Sequence, residues 1–182
     1  KSLYVIIFLI VGLIGSAEIL ELAPDAGTSL QETVDLSIEG DVIQLKEGIY
    51  HLDSALRIID KKGLDITGQG EVWIICEDIY DNVISIENAE NITIMNIKAK
   101  HSKMESQFGC HGSVIYIENS NSIAVYGCEL SGCGGIGVDL SGATAIEISG
   151  CYIHHNNFAA FHFRHSGEIT VTYNRVLDNA AF

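Results

Sequence analysis

The sequence predicts an all-β chain: about six coils of a right-handed solenoid, each made of three short parallel strands, with a short helix at its N-terminal end. Three observations predict it. Short alternating apolar–polar segments recur at near-constant intervals along the chain. A nine-residue pattern ahead of each segment keeps its register through five copies. The composition has 18 Gly and 1 Pro, with abundant Ile and Val, which suits pleated strands and tight turns better than a helical bundle. At 182 residues, one folded domain is expected.

The first element stands apart from this pattern. KSLYVIIFLIVGLIGSA has one Lys, an apolar run from Leu3 to Ile14, and then Gly15-Ser16-Ala17. Such an order describes a signal peptide, residues 1–17, ahead of a folded domain at 18–182. As a helix the apolar run would reach only about 18 Å, short of a bilayer core. The expected location is therefore secreted or cell-envelope, with no membrane contact after cleavage. The chain stops at NAAF, partway through a repeat, so further coils are expected beyond Phe182.

TSLQETVDLSI follows. Thr28 or Ser29 can cap a helix, with Gln31 or Glu32 completing a capping box. Leu30, Val34 and Ile38 fall on one helical face. A helix there would cover strand edges that otherwise invite aggregation. Next, GDVIQLKEGIYHL supplies a first rung at Val42 to Leu45 and a turn at Gly48.

The repeats then begin. Leu64, Ile92, Ile123, Ile146 and Ile169 open the segments LDI, ITI, IAV, IEI and ITV at spacings of 28, 31, 23 and 23. Period-two alternation describes a strand with one buried face. In the preceding nine residues, Leu56/Ile58, Ile84/Ile86, Ile115/Ile117, Val138/Leu140 and Phe161/Phe163 hold the same two places. A third strand follows in CEL, CYI and NRV, at Cys128–Leu130, Cys151–Ile153 and Asn174–Val176. One coil cannot bury its own apolar face, but stacked coils can, with rungs about 4.8 Å apart. Volumes compensate between coils, since Ile136, Val138 and Leu140 stand below Ala159, Phe161 and Phe163.

The same register lists what faces outward. One column reads Arg57, Ser85, Tyr116, Asp139, His162, and another reads Ile59, Glu87, Glu118, Ser141, Arg164. Asp139, His162 and Arg164 are the candidate catalytic residues, with Tyr116 as a substrate contact: an acid, a base and a cation on one patch. Ordinary polar pairing on a wet strand face would produce a similar pattern. The formal net charge of −14 excludes a nucleic-acid partner. It admits an acidic polymer only through a local basic patch, and the inserted KAKHSKMESQFGCHGS, with Lys98, Lys100 and Lys103 beside His101 and His111, reads as a loop able to supply one. Lys100 and Lys103 therefore join the substrate-binding candidates. His154 and His155 join them from the turn between the second and third strands. No Cys-x-x-Cys or His-x-x-x-His spacing is present, so neither a metal nor a cofactor is expected, and Gly68-Gln69-Gly70 is too short to cradle phosphate. Asn156 and Asn179 should stack along the ladder. Cys128 and Cys151 should face inward as buried free thiols, leaving a Cys110–Cys133 bridge as the pairing open to the loop.

GDVIQLKEGIYHL, LDITGQG and the repeated IxIxxCxIxxN together resemble the right-handed parallel β-helix superfamily, with its pectin-lyase-like fold, over residues 28–182. That resemblance implies the fold and leaves activity open, since the superfamily holds polysaccharide lyases, hydrolases, epimerases, adhesins and accessory proteins. GVDLSGAT followed by IHHNNFAAF is similar to the mannuronan epimerases of this fold, whose pattern carries Asp-Pro-His. Gly137 and Asp139 fit it, whereas Leu140 and Ser141 replace the Pro and His, so the resemblance carries over Asp139 alone. The expectation is an exported protein that binds or processes polysaccharide, lyase- or epimerase-like on uronate units. The alternative is a non-catalytic, adhesin-like surface module. The oligomeric state is not legible.

Overall fold

The computed structural model describes residues 16–103, 111–132 and 134–179. Nearly all of the expected signal peptide lies outside the described residues, as do Cys110 and Cys133 of the candidate bridge. In chain order the elements are β1 (Ile19–Leu22), α1 (Leu30–Leu36), β2 (Val42–Leu45), β3 (Gly48–Leu52) and β4 (Leu56–Ile59). Then come β5 (Lys62–Gly68), β6 (Val72–Cys76), β7 (Ile84–Glu87), β8 (Glu90–Met95), β9 (Lys98–His101) and β10 (Ile115–Glu118). The last coils hold β11 (Asn121–Tyr126), β12 (Glu129–Ser131), β13 (Ile136–Ser141), β14 (Thr144–Ser149), β15 (Tyr152–His154), β16 (Ala159–Arg164), β17 (Gly167–Thr172) and β18 (Arg175–Leu177).

Three parallel sheets result. Sheet A runs β1-β2-β5-β8-β11-β14-β17, sheet B runs β3-β6-β9-β12-β15-β18, and sheet C runs β4-β7-β10-β13-β16. Residues 23 apart become vertical neighbours as expected: Val138 pairs with Phe161, Ile123 with Ile146 and Ile146 with Ile169. The insertions in the longer repeats leave the register intact, since Ile115 still pairs with Ile84 and Ile123 with Ile92.

Corners explain why the coils share one register. Residues with positive φ recur at fixed places: Asp60, Asn88, Asn119, Gly142 and His165 after sheet C, and Asn96, Gly127, Gly150 and Tyr173 after sheet A. Asn and Gly reach this region cheaply, while other side chains there cost on the order of 1 kcal/mol. Corner amides also need partners, because the ladder breaks there. Ser120 Oγ accepts from Ala89 N at 3.0 Å, Ser166 Oγ from Ala143 N at 3.0 Å, and Asn174 Oδ1 from Cys151 N at 2.7 Å. The expected Asn stack is present too: Asn179 Oδ1 accepts from Asn156 N and Nδ2 at 3.1 and 2.8 Å.

The N-terminal end differs in detail from expectation. Ser29 is the cap and Glu32 closes the box, but the helix stops at Leu36, leaving Ile38 outside it and 44% exposed. Covering the first coil is shared with β1, which the sequence pattern does not announce and which extends sheet A beside β2. The helix instead closes the edge of sheet C. Gln31 donates to Arg57 O at 3.0 Å and accepts from Arg57 N at 2.8 Å, so one side-chain amide replaces a missing strand. Gly48 opens β3 with φ 141 rather than sitting between elements. A Cβ at Gly137 would lie 2.5 Å from Ile153 Cγ2. Gly137 therefore faces the interior, and Ile136 and Ala159 are half-exposed instead of inward.

One core column shows the energetics. Ile43, Ile66, Ile94, Val125, Ile148 and Val171 stack in register, and all are buried except Val171, which is 40% exposed. Phe163, expected to be inward, is 39% exposed for the same reason: no described coil lies over β16, β17 and β18. Ile94→Ala should cost about 2–5 kcal/mol by transfer and cavity terms, and Val171→Ala about 0.5 kcal/mol, as read from urea unfolding midpoints. Equal costs would mean that the last coil is covered in solution.

His101 ends β9 at 1% exposure, its Nε2–H donating to Asp81 O at 2.8 Å. Burial lowers its pKa, outweighing that hydrogen bond and the charges of Asp78 and Asp81, which raise it. The folded chain thus holds a neutral imidazole, whereas the unfolded chain takes up a proton below about 6.5. The stability His101 confers is complete above that value and is lost as pH falls towards the depressed folded value. The urea midpoint of the wild type should drop further between about pH 7.5 and 5 than that of His101→Gln, whose amide can still donate to Asp81. An equal drop would assign the acid sensitivity to carboxylates alone.

Candidate functional site

Sheet C assembles the patch that the register anticipates. Arg57 pairs with Ser85, Ser85 with Tyr116, Tyr116 with Asp139 and Asp139 with His162. Alongside run Ile59, Glu87, Glu118, Ser141 and Arg164. Parallel pairing one rung apart puts successive side chains of a column in contact, so the geometry follows from spacing in the sequence.

Asp139 is the centre. Although it faces outward it is only 7% exposed, between Tyr116 and His162. Its Oδ1 lies 3.0 Å from His162 Nδ1, and its Oδ2 lies 3.6 Å from Arg164 Nη2. A carboxylate only accepts, so His162 Nδ1 carries the proton and Nε2 presents a lone pair. The His162 side chain is 43% exposed and that of Arg164 is 47% exposed. At 3.6 Å the Arg164 contact is an ion pair without a hydrogen bond, so among the described residues its N–H donors stay free for an incoming anion. Tyr116 closes the patch beside Glu118 and Ser141. Burial, then the charge of Glu118 and a hydrogen bond to it, push its phenol pKa up against the smaller effects of Ser141 and Arg164. Arg57, by contrast, is held by Asp81 at 2.9 Å and Glu87 at 3.8 Å.

The other candidates lie on sheet B. Lys98, Lys100 and His101 belong to β9 rather than to a loop, and Lys103 follows it, exposed. Lys100 Nζ sits 4.7 Å from the centre of the Trp73 ring. His154 is the last residue of β15 and not a turn residue; it stacks on Tyr152 at 4.0 Å and its Nε2 lies 3.2 Å from Glu129 Oε1. His155 does occupy the turn, with φ 54, its Nδ1 2.7 Å from that of His154. The structure thus brings Tyr116, Asp139, His162 and Arg164 together and places Lys100 and His154 on a different sheet, with His155 in the turn that follows it. Sequence reasoning passed over Glu129, which links Lys98 at 3.3 Å to His154. Its signal was available: Trp73, Lys98, Glu129, Tyr152 and Arg175 hold one outward position of successive third strands.

Cys76, Cys128 and Cys151 are buried free thiols. Burial pushes the Cys76 thiol up to about 11. Cys128 is pushed up by its contact with Cys151 and by burial. Neither offers a thiolate near neutral pH. Among the described residues no group of three or more His, Cys, Asp and Glu is arranged to hold a metal ion, and no helix is long and apolar enough to cross a membrane.

Comparison with solved structures finds the same architecture. A protein from Parabacteroides merdae ATCC 43184, provisionally described as a glycosyl hydrolase, superposes with a TM-score of 0.55 at 12% identity, covering 86% of this chain and 95% of its own. A pectin methylesterase variant in complex with a hexasaccharide gives 0.55 at 12% identity, covering 89% of this chain and 66% of its own. A pectate lyase gives 0.38 at 14% identity. At these identities the likeness is one of fold. A search of curated proteins finds no match. The family model for right-handed β-helix regions matches residues 39–182, so the chain belongs to the right-handed β-helix family.

Proposed function

We propose that the sheet C face binds an extended acidic polysaccharide and acts on its uronate units by proton abstraction. The observation that carries this reading is the Asp139–His162 pair with Arg164 beside it. Asp139 fixes the tautomer of His162, so that Nε2 is the base. Arg164 meets the uronate carboxylate and stabilises the negative charge that grows as the neighbouring carbon loses its proton. Tyr116 positions the sugar. In the elimination variant the C–H electron pair forms the new C=C bond and the glycosidic oxygen leaves with its pair. In the epimerase variant solvent water gives a proton to the opposite face of the same carbon, and the His162 imidazolium returns its proton to the resulting hydroxide. A flat face with equal rung spacing offers repeated contacts to a repeating polymer. Two of the structures with this fold carry names tied to polysaccharide, a pectin methylesterase holding a hexasaccharide and a provisional glycosyl hydrolase, which supports the substrate class. Export through residues 1–17 would bring the protein to such polymers.

The test is incubation with pectate, alginate and glycosaminoglycans, following unsaturated product by ultraviolet absorbance and epimerised product by proton NMR. His162→Ala should abolish product, and Arg164→Ala should reduce kcat/KM by about a hundredfold, the loss of a charge-assisted contact in the transition state. Asp139→Asn should cut kcat while leaving KM near the wild-type value, because it frees the wrong tautomer of His162. Wild-type protein that yields neither product and is retained by none of these polymers would favour the adhesin-like module instead.

A further inference from the structure

Sheet B carries a feature that the sheet C reading leaves unused. A groove of about 320 Å³ runs along the corner between sheets A and B, lined by Gly70, Lys98, Gly127, Glu129, Gly150 and Tyr152 among others. That volume is at the small end of the range for ligand pockets. Its floor is backbone at Gly127 and Gly150, with φ 60 and 68. The same corner position carries side chains in neighbouring coils, at Asn96 and Tyr173. At Gly127 the Asn96 side chain takes the space, since an added Cβ would lie 2.7 Å from Asn96 Oδ1, whereas at Gly150 an added Cβ meets nothing nearer than 3.8 Å, so glycine at 150 leaves open a space that the coil geometry does not require.

The wall is charged but paired. Lys98 Nζ bonds Glu71 Oε1 at 3.0 Å and lies 3.3 Å from Glu129 Oε2. Glu129 Oε1 takes His154 Nε2 at 3.2 Å. The Lys98 ammonium is thus shared by two carboxylates, Glu71 and Glu129, so it offers no free positive charge to an anionic ligand. Acceptor sites remain on the Glu129 carboxylate, which has about four, two of them engaged. The Tyr152 hydroxyl makes no hydrogen bond with another described residue. Tyr152 is itself held rigid between His154, stacked at 4.0 Å, and the Arg175 guanidinium, 4.7 Å from its ring centre. A pre-ordered carboxylate, a phenol and an ammonium round a small, half-open groove match the hydroxyl groups of a sugar, which donate and accept without charge.

We propose that this groove is a second saccharide site, specific for an uncharged sugar unit, with Glu129 and Tyr152 as the contacts and Lys98 and His154 holding Glu129 in place. It is separate from the sheet C face and does not depend on catalysis there.

Gly150→Asn tests it. A Cβ at Gly150 meets nothing nearer than 3.8 Å, and Asn tolerates a positive φ, so the substitution plugs the groove without touching the Lys98–Glu129–His154 ladder. The measurement is affinity electrophoresis of the full chain in native gels containing galactan, xylan or glucomannan, with pectate as the acidic comparison. Wild-type protein should be retarded by at least one neutral glycan. Gly150→Asn and Tyr152→Ala should each weaken that retardation by about tenfold, the order expected for a lost hydrogen-bonded contact. Gly150→Asn should keep the wild-type melting temperature and the wild-type rate of any product formed at sheet C. Absence of retardation by all three neutral glycans, or full retardation of Gly150→Asn, would overturn the proposal. Either result leaves the sheet C reading standing on its own product assay.

Discussion

A common coil register is the constraint on which the rest of the molecule depends. Parallel ladders bond each strand to the strand one coil away, so every coil must return to the same place with the same phase. A slip of one residue would turn every inward Ile outward. Left-handed residues at two fixed corners per coil enforce the return, and Ser120, Ser166 and Asn174 receive the amides that the corners leave without a strand partner. Where a repeat is longer, the surplus leaves the ladder between sheets B and C, and the pairing resumes in phase at β10.

From that constraint the surface chemistry follows. A solenoid turns sequence periodicity into vertical columns, so a chain can build a patch by choosing one residue per coil. On sheet C this produces Tyr116, Asp139 and His162 in contact, with Arg164 alongside. On sheet B it produces Trp73, Lys98, Glu129, Tyr152 and Arg175, a ladder in which each charge meets a partner or a ring. The two columns differ in what they leave open: His162 Nε2 and the Arg164 donors on one, and a groove of paired charges on the other.

The ends of the rod obey different physics from its middle. At the N-terminal side β1 and α1 close the first coil, with Gln31 imitating a strand for β4. At the other side β16, β17 and β18 keep one free edge among the described residues, and Phe163, Val171 and Val176 are exposed there. Burial in a solenoid is a nearest-neighbour property, so the same inward position is closed in coil five and open in coil six.

The periodic part of this protein was legible in the residues alone. Coil number, the three strands, the inward columns, the stacking of Asn156 on Asn179 and the adjacency of Asp139, His162 and Arg164 all follow from spacing, because in-register stacking converts a 23-residue interval into a contact. What only the tertiary structure decided is aperiodic. It set β1 beside β2, ended the helix before Ile38, turned Gly137 inward in place of Ile136, and moved Lys98 and Lys100 from a loop into β9. It also separated Lys100 and His154 from the sheet C patch and tied His154 to Glu129. Each of these depends on which face of the coil a residue occupies or on what covers an end, and a repeat interval carries no information about either.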